Sequence, residues 1–182
     1  MRLPELYTER LRLRMPRPSD LDHIYALGND PEVMRYITYG RTQTYSEAKA
    51  DLRRRIRQSG NGLGYWITEV RESRDFVGWM ALKPLDNTEY IEIGYRFLRE
   101  HWNKGYATEA GEKLLHFAFK NLELPKVVSV ALADNQASTR VMEKLGLRLD
   151  HHGRYYDTEC VFYQITYQEW EGMHASEQSN SE

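Results

Sequence analysis

The spacing of apolar residues along the chain predicts the order of its strands and helices. In "ERLRLRMP", Leu11, Leu13 and Met15 alternate with arginine, which is typical of a half-buried strand that Pro16 ends. Three more strands are predicted in "LGYWITEV", "DFVGWMALK" and "EYIEIGYRFL", separated by the turn-rich segments "RESR" and "PLDNT". Because these three strands follow one another closely, we expect an antiparallel meander.

Apolar residues at steps of three and four predict the helices. "PSDLDHIYALGND" predicts a helix with Ser19 or Asp20 as its N-cap. A longer polar helix in "TYSEAKADLRRRIRQSGNG" begins at Thr44 or Ser46 and stops at Gly60. A third helix begins after Gly105. It is followed by a buried strand in "KVVSVALA", a short helix in "DNQASTRVMEKLGL" with Gly146 as its C-cap, and a hairpin in "RLDHHGRYYDTECVFYQITY".

Composition limits the classes of function. A length of 182 residues suits one domain, and a formal net charge of -2 argues against a nucleic-acid binder that works by broad electrostatics. The basic segment "DLRRRIRQ" is expected to be a solvated helix face, although a nucleic-acid-associated protein that uses it as a patch is the alternative. The single cysteine, Cys160, favours a reducing compartment, and no membrane span, signal peptide or metal cluster is expected. We therefore expect a cytoplasmic protein.

The segment "REHWNKGYATEAGEKLLHFAFK" suits an anionic ligand. A strand ends, a turn with Gly105 follows, and a helix begins, so backbone N–H groups without intrahelical partners point outward. Ala107 adds little bulk there, and Lys104 adds a cation. A plain strand-to-helix turn is the alternative for this segment alone. The dinucleotide and triphosphate motifs GxGxxG and GxxxxGK[ST] do not occur in the sequence.

A second candidate segment, "ALADNQASTRVMEKLGL", places Asn135 between a buried strand and a helix. Asn135 is expected to cap that helix by accepting from the amide of Ser138 or its neighbour. An amide side chain at the carboxyl end of a strand also suits the crevice where open sheets bind ligands, and Ser138 would face the same crevice.

The two segments, in this order and spacing, resemble the acetyl-CoA-binding core of the GNAT superfamily. With the opening "TERLRLRMPRPSDLDHIYALGNDPEVMRYI", the chain is similar to the RimJ/RimL branch, which acetylates the N-terminal amines of ribosomal proteins. The resemblance implies an α+β fold with a mixed, mostly antiparallel sheet, flanked by helices and splayed at the cofactor site. It implies an acetyltransferase domain over residues 8–170, and the polar residues 171–182 are expected to be a disordered tail.

The resemblance also implies a set of residues that bind acetyl-CoA, with no metal. The family's phosphate loop falls on Trp102, Asn103, Lys104, Gly105, Tyr106 and Ala107, followed by Thr108. Trp102 departs from the usual Gln or Arg, which puts one polar contact to the cofactor in doubt. The strand before the loop would pair with the pantetheine arm through Phe97, Leu98 and Arg99, and Asn135 would contact the pantetheine or support the thioester end.

The predicted reaction is direct attack of an amine on the thioester in a ternary complex. Glu92 is the candidate base, on the strand face that also carries Gly94 and Arg96; an ion pair on the outer sheet face is its alternative role, and Glu89 is a weaker candidate. The tyrosine that commonly acts as general acid in the family is replaced here by Met142. That leaves Ser138 as a candidate donor to the departing thiolate.

Other residues with suitable chemistry have simpler explanations. Tyr155 and Tyr156 have a phenol that could act as the acid, but they are at least as well explained as core and rim aromatics. His151 and His152 are expected in a solvated loop, and Cys160 as a buried structural thiol, which argues against an acyl-cysteine route.

The acceptor stays open between a protein N-terminus and a small amine. The helices within 19–58 and the final hairpin would line the acceptor groove. Partners are the coenzyme A thioester and the amine, with no membrane and no direct nucleic acid; a homodimer is left open. The alternative function is a non-catalytic acyl-CoA-binding module of the same fold, which the methionine at position 142 suggests.

Overall fold

A computed structural model describes residues 3–179, which divide into two compact units. The first contains residues 3–83 and 93–113, and the second contains residues 84–92 and 114–179. The eight strands form one mixed, mostly antiparallel sheet in the order β1-β2-β3-β4-β5-β6-β8-β7. The predicted fold class is therefore confirmed. The single domain over residues 8–170 stays a prediction.

The first unit contains the predicted antiparallel meander. Its strands are β1 (Leu6–Tyr7), β2 (Leu11–Arg14), β3 (Gly64–Val70), β4 (Phe76–Pro84) and β5 (Ile91–Phe97), the last of which begins in the second unit. Leu13 lies opposite Thr68, and Trp66 lies opposite Met80. The alternation of β2 buries Leu11 and Leu13 completely, as its pattern predicts.

Three helices of the first unit are α1 (Leu21–Asn29), α2 (Pro31–Met34) and α3 (Tyr45–Gln58). The side chain of Thr44 accepts from the amide of Glu47 and the Glu47 carboxylate accepts in return from the Thr44 amide, so Thr44 is the N-cap. The apolar faces of α1 and α3 pack against β3 and β4 around Leu27, Leu52 and Ile67.

Arg14 departs from the expected exposed arginines of β2. It is buried, and its guanidinium donates to Asp20 at 2.6 and 3.0 Å and to Glu69 at 2.6 Å. Both carboxylates are also buried, and Glu69 has a second cationic partner in Arg12 at 3.2 Å, so the buried charges are paired. The network ties β2 to the start of α1 and to β3.

The second unit contains the rest of the chain. Helix α4 (Tyr106–Lys120) begins in the first unit and ends here, and β6 (Lys126–Ala131), α5 (Gln136–Lys144), β7 (Arg148–Tyr155), β8 (Thr158–Thr166) and α6 (Tyr167–Ser179) follow. Strand β6 pairs in parallel with the start of β5 through Glu92 and Val128, and antiparallel with β8. Gly146 follows α5 with φ 85°, as the predicted C-cap requires.

The carboxyl-terminal segment differs from its prediction. Helix α6 continues to Ser179, so the expected disorder is wrong for residues 171–179, while 180–182 lie outside the described residues. Trp170 anchors the helix, since its ring is buried and lies 5.3 Å from that of Phe119. Between residues 3 and 179, no helix is long and apolar enough to cross a membrane.

Candidate active site

The predicted phosphate loop is a tight turn that leads into α4. A short 3-10 turn spans Arg99–His101, Asn103 has φ 58° and Gly105 has φ 78°, and the helix begins at Tyr106. The carbonyl of Gly105 accepts from the amide of Glu109 at 3.0 Å, which makes Gly105 the residue that caps the helix. The amides of Tyr106, Ala107 and Thr108 therefore belong to the first turn, where helices have no internal acceptors.

Gly105 cannot be replaced without strain. Its φ lies in the left-handed region, and a Cβ placed there would lie 3.3 Å from Nη2 of Arg10. The turn is thus a cradle that a side chain would partly fill. With the helix dipole and the exposed Lys104 beside it, this cradle suits the pyrophosphate of coenzyme A.

Arg10 and Glu109 brace the loop, a contact that no pattern in the sequence indicates. Arg10 donates to Glu109 at 2.6 Å and to the carbonyl of Lys104 at 2.9 Å, and its guanidinium lies 4.8 Å from the ring of Tyr106. Thr8 also donates to Glu109, at 2.5 Å. Burial opposes ionisation of Glu109, but the bonds from Thr8 and Arg10 hold its pKa below its ordinary value. The loop is therefore fixed by an ionised carboxylate from its own helix.

The end of β5 makes three contacts next to the loop. The indole of Trp102 donates to the carbonyl of Phe97 at 2.8 Å, the amide of Leu98 donates to Val77 at 2.9 Å, and the side chain of Arg99 donates to Asp30 at 2.7 Å. Trp102, in the place of the family's Gln or Arg, holds the strand end. The role of Phe97, Leu98 and Arg99 toward pantetheine stays a prediction.

Asn135 and Ser138 lie in the second unit, at the start of α5. Oδ1 of Asn135 accepts from the amide of Ser138 at 3.3 Å, so the capping role is confirmed, and its predicted contact with the cofactor stays a prediction. Ser138 is half-buried. Met142 is buried and bears no acidic proton, so it cannot supply the missing acid.

Glu92 is a buried carboxylate held by a tyrosine. It is 7% exposed, and Oε1 accepts a hydrogen bond from the hydroxyl of Tyr156 at 2.6 Å. Tyr156 is in turn fixed by Asp86, whose amide donates to the phenol oxygen at 3.1 Å and whose carboxylate accepts from the Tyr156 amide at 2.9 Å. The predicted role of Glu92 as the base and its alternative, an ion pair on an outer sheet face, both stay predictions.

Tyr156 occupies the two-residue turn between β7 and β8, with φ 51°, and the following Asp157 has φ 59°. Positive φ at both central residues is typical of the turns that match the twist of a hairpin. The turn chemistry therefore positions the phenol. The sequence left Tyr155 and Tyr156 as equal candidates. No periodic pattern connects Tyr156 to Glu92, which lies 64 positions away in the sequence.

The two histidines lie in strand β7, so the predicted loop is wrong, but both side chains are exposed, as predicted. The ring of His151 stacks on Phe162 at 4.5 Å, and its nitrogens contact Asp150 at 2.7 Å and the phenol of Tyr155 at 2.9 Å. Cys160 is buried, as predicted, and burial together with nearby carboxylates raises the pKa of its thiol. A thiol in that state is a poor nucleophile.

The basic segment of α3 follows its prediction at Arg53, Arg54 and Arg57, which are exposed, but not at Arg55. Arg55 is 4% exposed, so it does not belong to a solvated helix face, whereas Arg54 beside it is half-exposed. Both pair with the buried carboxylate of Asp51. Helical spacing places Asp51 and Arg55 on one side of α3, and this signal could have indicated a buried pair.

The chain matches one family model. Residues 10–148 match the model described as "Acetyltransferase (GNAT) domain". That range includes the loop at Gly105, Glu92, Asn135 and Ser138.

Three relatives align over most of the chain. The protein YkkB of Bacillus subtilis is 31% identical over 88% of this chain and 94% of its own length. The FsC-acetyl coenzyme A-N(2)-transacetylase of Aspergillus fumigatus is 31% identical over 92% and 78%. A Bacillus subtilis protein named "Putative ribosomal N-acetyltransferase YdaF" is 27% identical over 90% and 95%.

Solved structures show the same fold. An acetyltransferase from Agrobacterium tumefaciens is 26% identical, with a TM-score of 0.79 over 91% of this chain and 95% of its own. A spermidine N-acetyltransferase from Vibrio cholerae, in complex with CoA and spermine, is 19% identical, with a TM-score of 0.74 over 90% and 99%.

Proposed function

This chain belongs to the GNAT acetyltransferase family and is an acetyl-CoA-dependent acyltransferase, and from that premise we propose that it N-acetylates a primary amine by direct attack in a ternary complex. The acceptor is a protein N-terminus or a small amine. The observation that carries the proposal is the buried carboxylate of Glu92 with its phenol donor at 2.6 Å.

Glu92 has the chemistry of the base in this reaction. An acetyl thioester is already activated, so the enzyme must hold the amine in place, remove its proton and protect the site from water. The hydrogen bond from Tyr156 fixes the orientation of the carboxylate, because Tyr156 is itself held from two sides by Asp86. Glu92 accepts the amine proton directly or through a water molecule.

Ser138 supports the departing thiolate. Its hydroxyl lies on the first turn of α5, where the helix dipole also favours a developing negative charge. Position 142 offers only a buried thioether, so the general acid of other family members has no counterpart there. We assign the hydrogen bond to sulfur to Ser138.

Direct attack is favoured over an acyl-cysteine route by the state of Cys160. Burial and the nearby Glu159 and Glu92 raise the pKa of this thiol, and the thiolate is the nucleophilic form of cysteine. The amine therefore attacks the thioester itself, and no covalent intermediate forms on the chain.

The RimJ/RimL branch is supported by the opening segment and by the 27% identity to the relative named for ribosomal N-acetylation. The fungal relative, at 31%, is named for transacetylation at an N(2) nitrogen and not for a ribosomal protein, so we keep a small amine as the second acceptor class. We place the reaction in the cytoplasm, because the chain has one cysteine and that thiol is buried.

The test is release of free CoA from acetyl-CoA against a panel of small amines and peptide N-termini, with the acetylated product identified by mass spectrometry. At least one acceptor is expected to give CoA release and amide product in equal amounts, well above a blank without amine. Tight acetyl-CoA binding with no turnover on any acceptor would refute the proposal.

A further inference from the structure

The guanidinium of Arg10 has one edge that the protein leaves without a partner. Nε donates to Glu109 at 2.6 Å, and Nη1 donates to the carbonyl of Lys104 at 2.9 Å. Arginine carries five N–H donors in a rigid plane, and two of them belong to Nη2. Within the described residues 3–179, Nη2 donates to no group. Arg10 therefore has donors left for a ligand.

Nη2 borders the open side of Gly105 in the turn before α4. Apart from its own chain neighbours, a Cβ at Gly105 would meet one heavy atom within 4 Å, and that atom is Nη2 of Arg10 at 3.3 Å. Gly105 is exposed, and the side chain of Arg10 is 47% exposed. A ligand seated against Gly105 thus has room to reach Nη2 from solvent.

Arg10 is held in one orientation from several sides. Glu109 accepts from the backbone amide of Arg10 at 2.9 Å as well as from Nε, and it accepts from the hydroxyl of Thr8 at 2.5 Å. The ring centre of Tyr106 lies 4.8 Å from the guanidinium carbon. A donor fixed in this way loses little side-chain entropy when it binds a ligand. Because Glu109 compensates the charge of Arg10, Nη2 contributes a directed hydrogen bond rather than long-range attraction.

The other donors of the turn come from the backbone. The first amides of α4 have no internal acceptors, and they suit the oxygens of a phosphate. Trp102 adds no donor, because its only side-chain N–H bonds the carbonyl of Phe97 at 2.8 Å. A diphosphate presents terminal oxygens on both of its phosphorus atoms, so it can accept from the amides and from a guanidinium at the same time.

We propose that Nη2 of Arg10 donates to the diphosphate of acetyl-CoA, so that Arg10 is a cofactor-binding residue and not only a brace of the loop. Guanidinium N–H groups match phosphate oxygens in geometry, and hydrogen bonds between charged partners are about twice as strong as neutral ones. This inference rests on the proposed function, because it takes acetyl-CoA as the acetyl donor. The ligand class is a diphosphate ester, and every residue of the contact belongs to the first unit.

A double-mutant cycle separates this contact from the brace. Arg10→Met removes both, whereas Glu109→Gln removes the brace and leaves Nη2 in place. In calorimetric titrations with CoA, Arg10→Met is expected to raise Kd about 10- to 100-fold, the range of a hydrogen bond to a charged group, and Glu109→Gln to raise it less. Adding Arg10→Met to Glu109→Gln should raise Kd further. Equal Kd values in both single variants and the double variant would show that Arg10 acts only through Glu109, and would overturn the inference.

Arg10→Lys is a milder variant that keeps a cation beside Glu109. Its single nitrogen cannot serve Glu109 and the diphosphate at once, so CoA should bind more weakly than to wild type; wild-type affinity would overturn the requirement for Nη2. Arg41→Met is the matched control, because Arg41 pairs with Glu47 at 2.8 Å in the same unit. It should leave Kd unchanged. A rise as large as that in Arg10→Met would assign the effect to a lost charge in general and overturn the contact.

Dephospho-CoA identifies the phosphate that Arg10 contacts. It lacks the 3′-phosphate of CoA but keeps the diphosphate, so Arg10→Met should raise Kd by the same factor for both ligands. A loss of affinity confined to CoA would assign Arg10 to the 3′-phosphate and overturn the inference.

These titrations need no turnover, so they separate this inference from the proposed function. If no amine supports CoA release, the proposed function fails, and a higher Kd in Arg10→Met than in Glu109→Gln still supports the contact. Wild-type affinity in an Arg10→Met protein that a thermal melt shows to be folded overturns the contact, whatever the acceptor panel gives.

Discussion

Replacing Gly105 tests the phosphate loop most directly. Gly105→Ala must adopt φ near 78°, which costs a residue with a Cβ about 1–2 kcal/mol. The new Cβ would lie 3.3 Å from Nη2 of Arg10, the end of a half-exposed side chain that can move, so this contact adds little. For a chain of this size the loss corresponds to a Tm about 2–8 °C lower.

The effect on ligand binding separates the loop from an ordinary turn. Gly105→Glu places a negative charge beside the first amides of α4, and like-charge contacts cost several kcal/mol, so affinity for CoA should fall by about 100-fold or more. Gly105→Ala should weaken binding less, because it adds bulk without charge.

The assay is calorimetric titration with CoA alongside thermal melts. Gly172→Ala is the control for adding a methyl group, since a Cβ there meets nothing within 4 Å and its φ is not positive. It should leave CoA affinity unchanged. Unchanged affinity in Gly105→Glu, with the protein folded, would refute the assignment of the loop.

Three further variants test the catalytic base, the loop brace and a helix cap. Glu92→Gln should lower kcat about 100-fold or more, most strongly at low pH where free amine is scarce. Glu89→Gln, which changes an exposed neighbour, should leave kcat unchanged. A wild-type pH profile in Glu92→Gln would show that Glu92 is not the base. Glu109→Gln removes the ionic partner of Arg10 and should lower the free energy of unfolding, measured in urea, by about 1–3 kcal/mol. It should also weaken CoA binding. Wild-type affinity for CoA would show that the loop does not need this brace. A backbone hydrogen bond at the start of α3 is the main cause that lowers the pKa of Glu47 from 4.5 to about 2. Ionised Glu47 therefore stabilises the fold above pH 4.5, and this stabilisation is lost as the pH falls toward 2. The difference in unfolding free energy between wild type and Glu47→Gln should disappear between pH 4.5 and 2, and a constant difference would contradict the cap.

Repeating patterns made most of the fold predictable. Strand β2 and helix α4 follow their periodicities because one face of each is buried, and Gly146 ends α5 where the spacing placed it. Strand β1 and helix α2 span two and four residues, too short for a period to be visible. Helix α6 was not predicted, because its polar composition is typical of a disordered terminal segment.

Buried charges were the least predictable feature. Arg14 is buried because Glu69 reaches it from 55 residues away, and no alternation in β2 reveals such a partner. Arg55 differs, because Asp51 lies one helical turn before it. The loop at Gly105 could be predicted because its residues are neighbours in the sequence. Its contact with Arg10, 94 residues from Lys104, could not.

Of the two side chains joined by the short hydrogen bond in the candidate site, the sequence singled out Glu92 but not Tyr156. Glu92 was proposed from its place on a strand. The phenol that donates to it comes from a turn with left-handed φ values, which no pattern in the sequence indicates. Met142 is buried, and its interpretation as the place where the family's acid is missing stays a prediction.

Direct transfer from acetyl-CoA to an amine is the central claim, and initial rates over a grid of acetyl-CoA and acceptor concentrations test it most directly. Because both substrates must be bound together when the amine attacks, double-reciprocal plots are predicted to give lines that intersect. Parallel lines, together with an acetylated form of the protein after acetyl-CoA alone, would contradict the account.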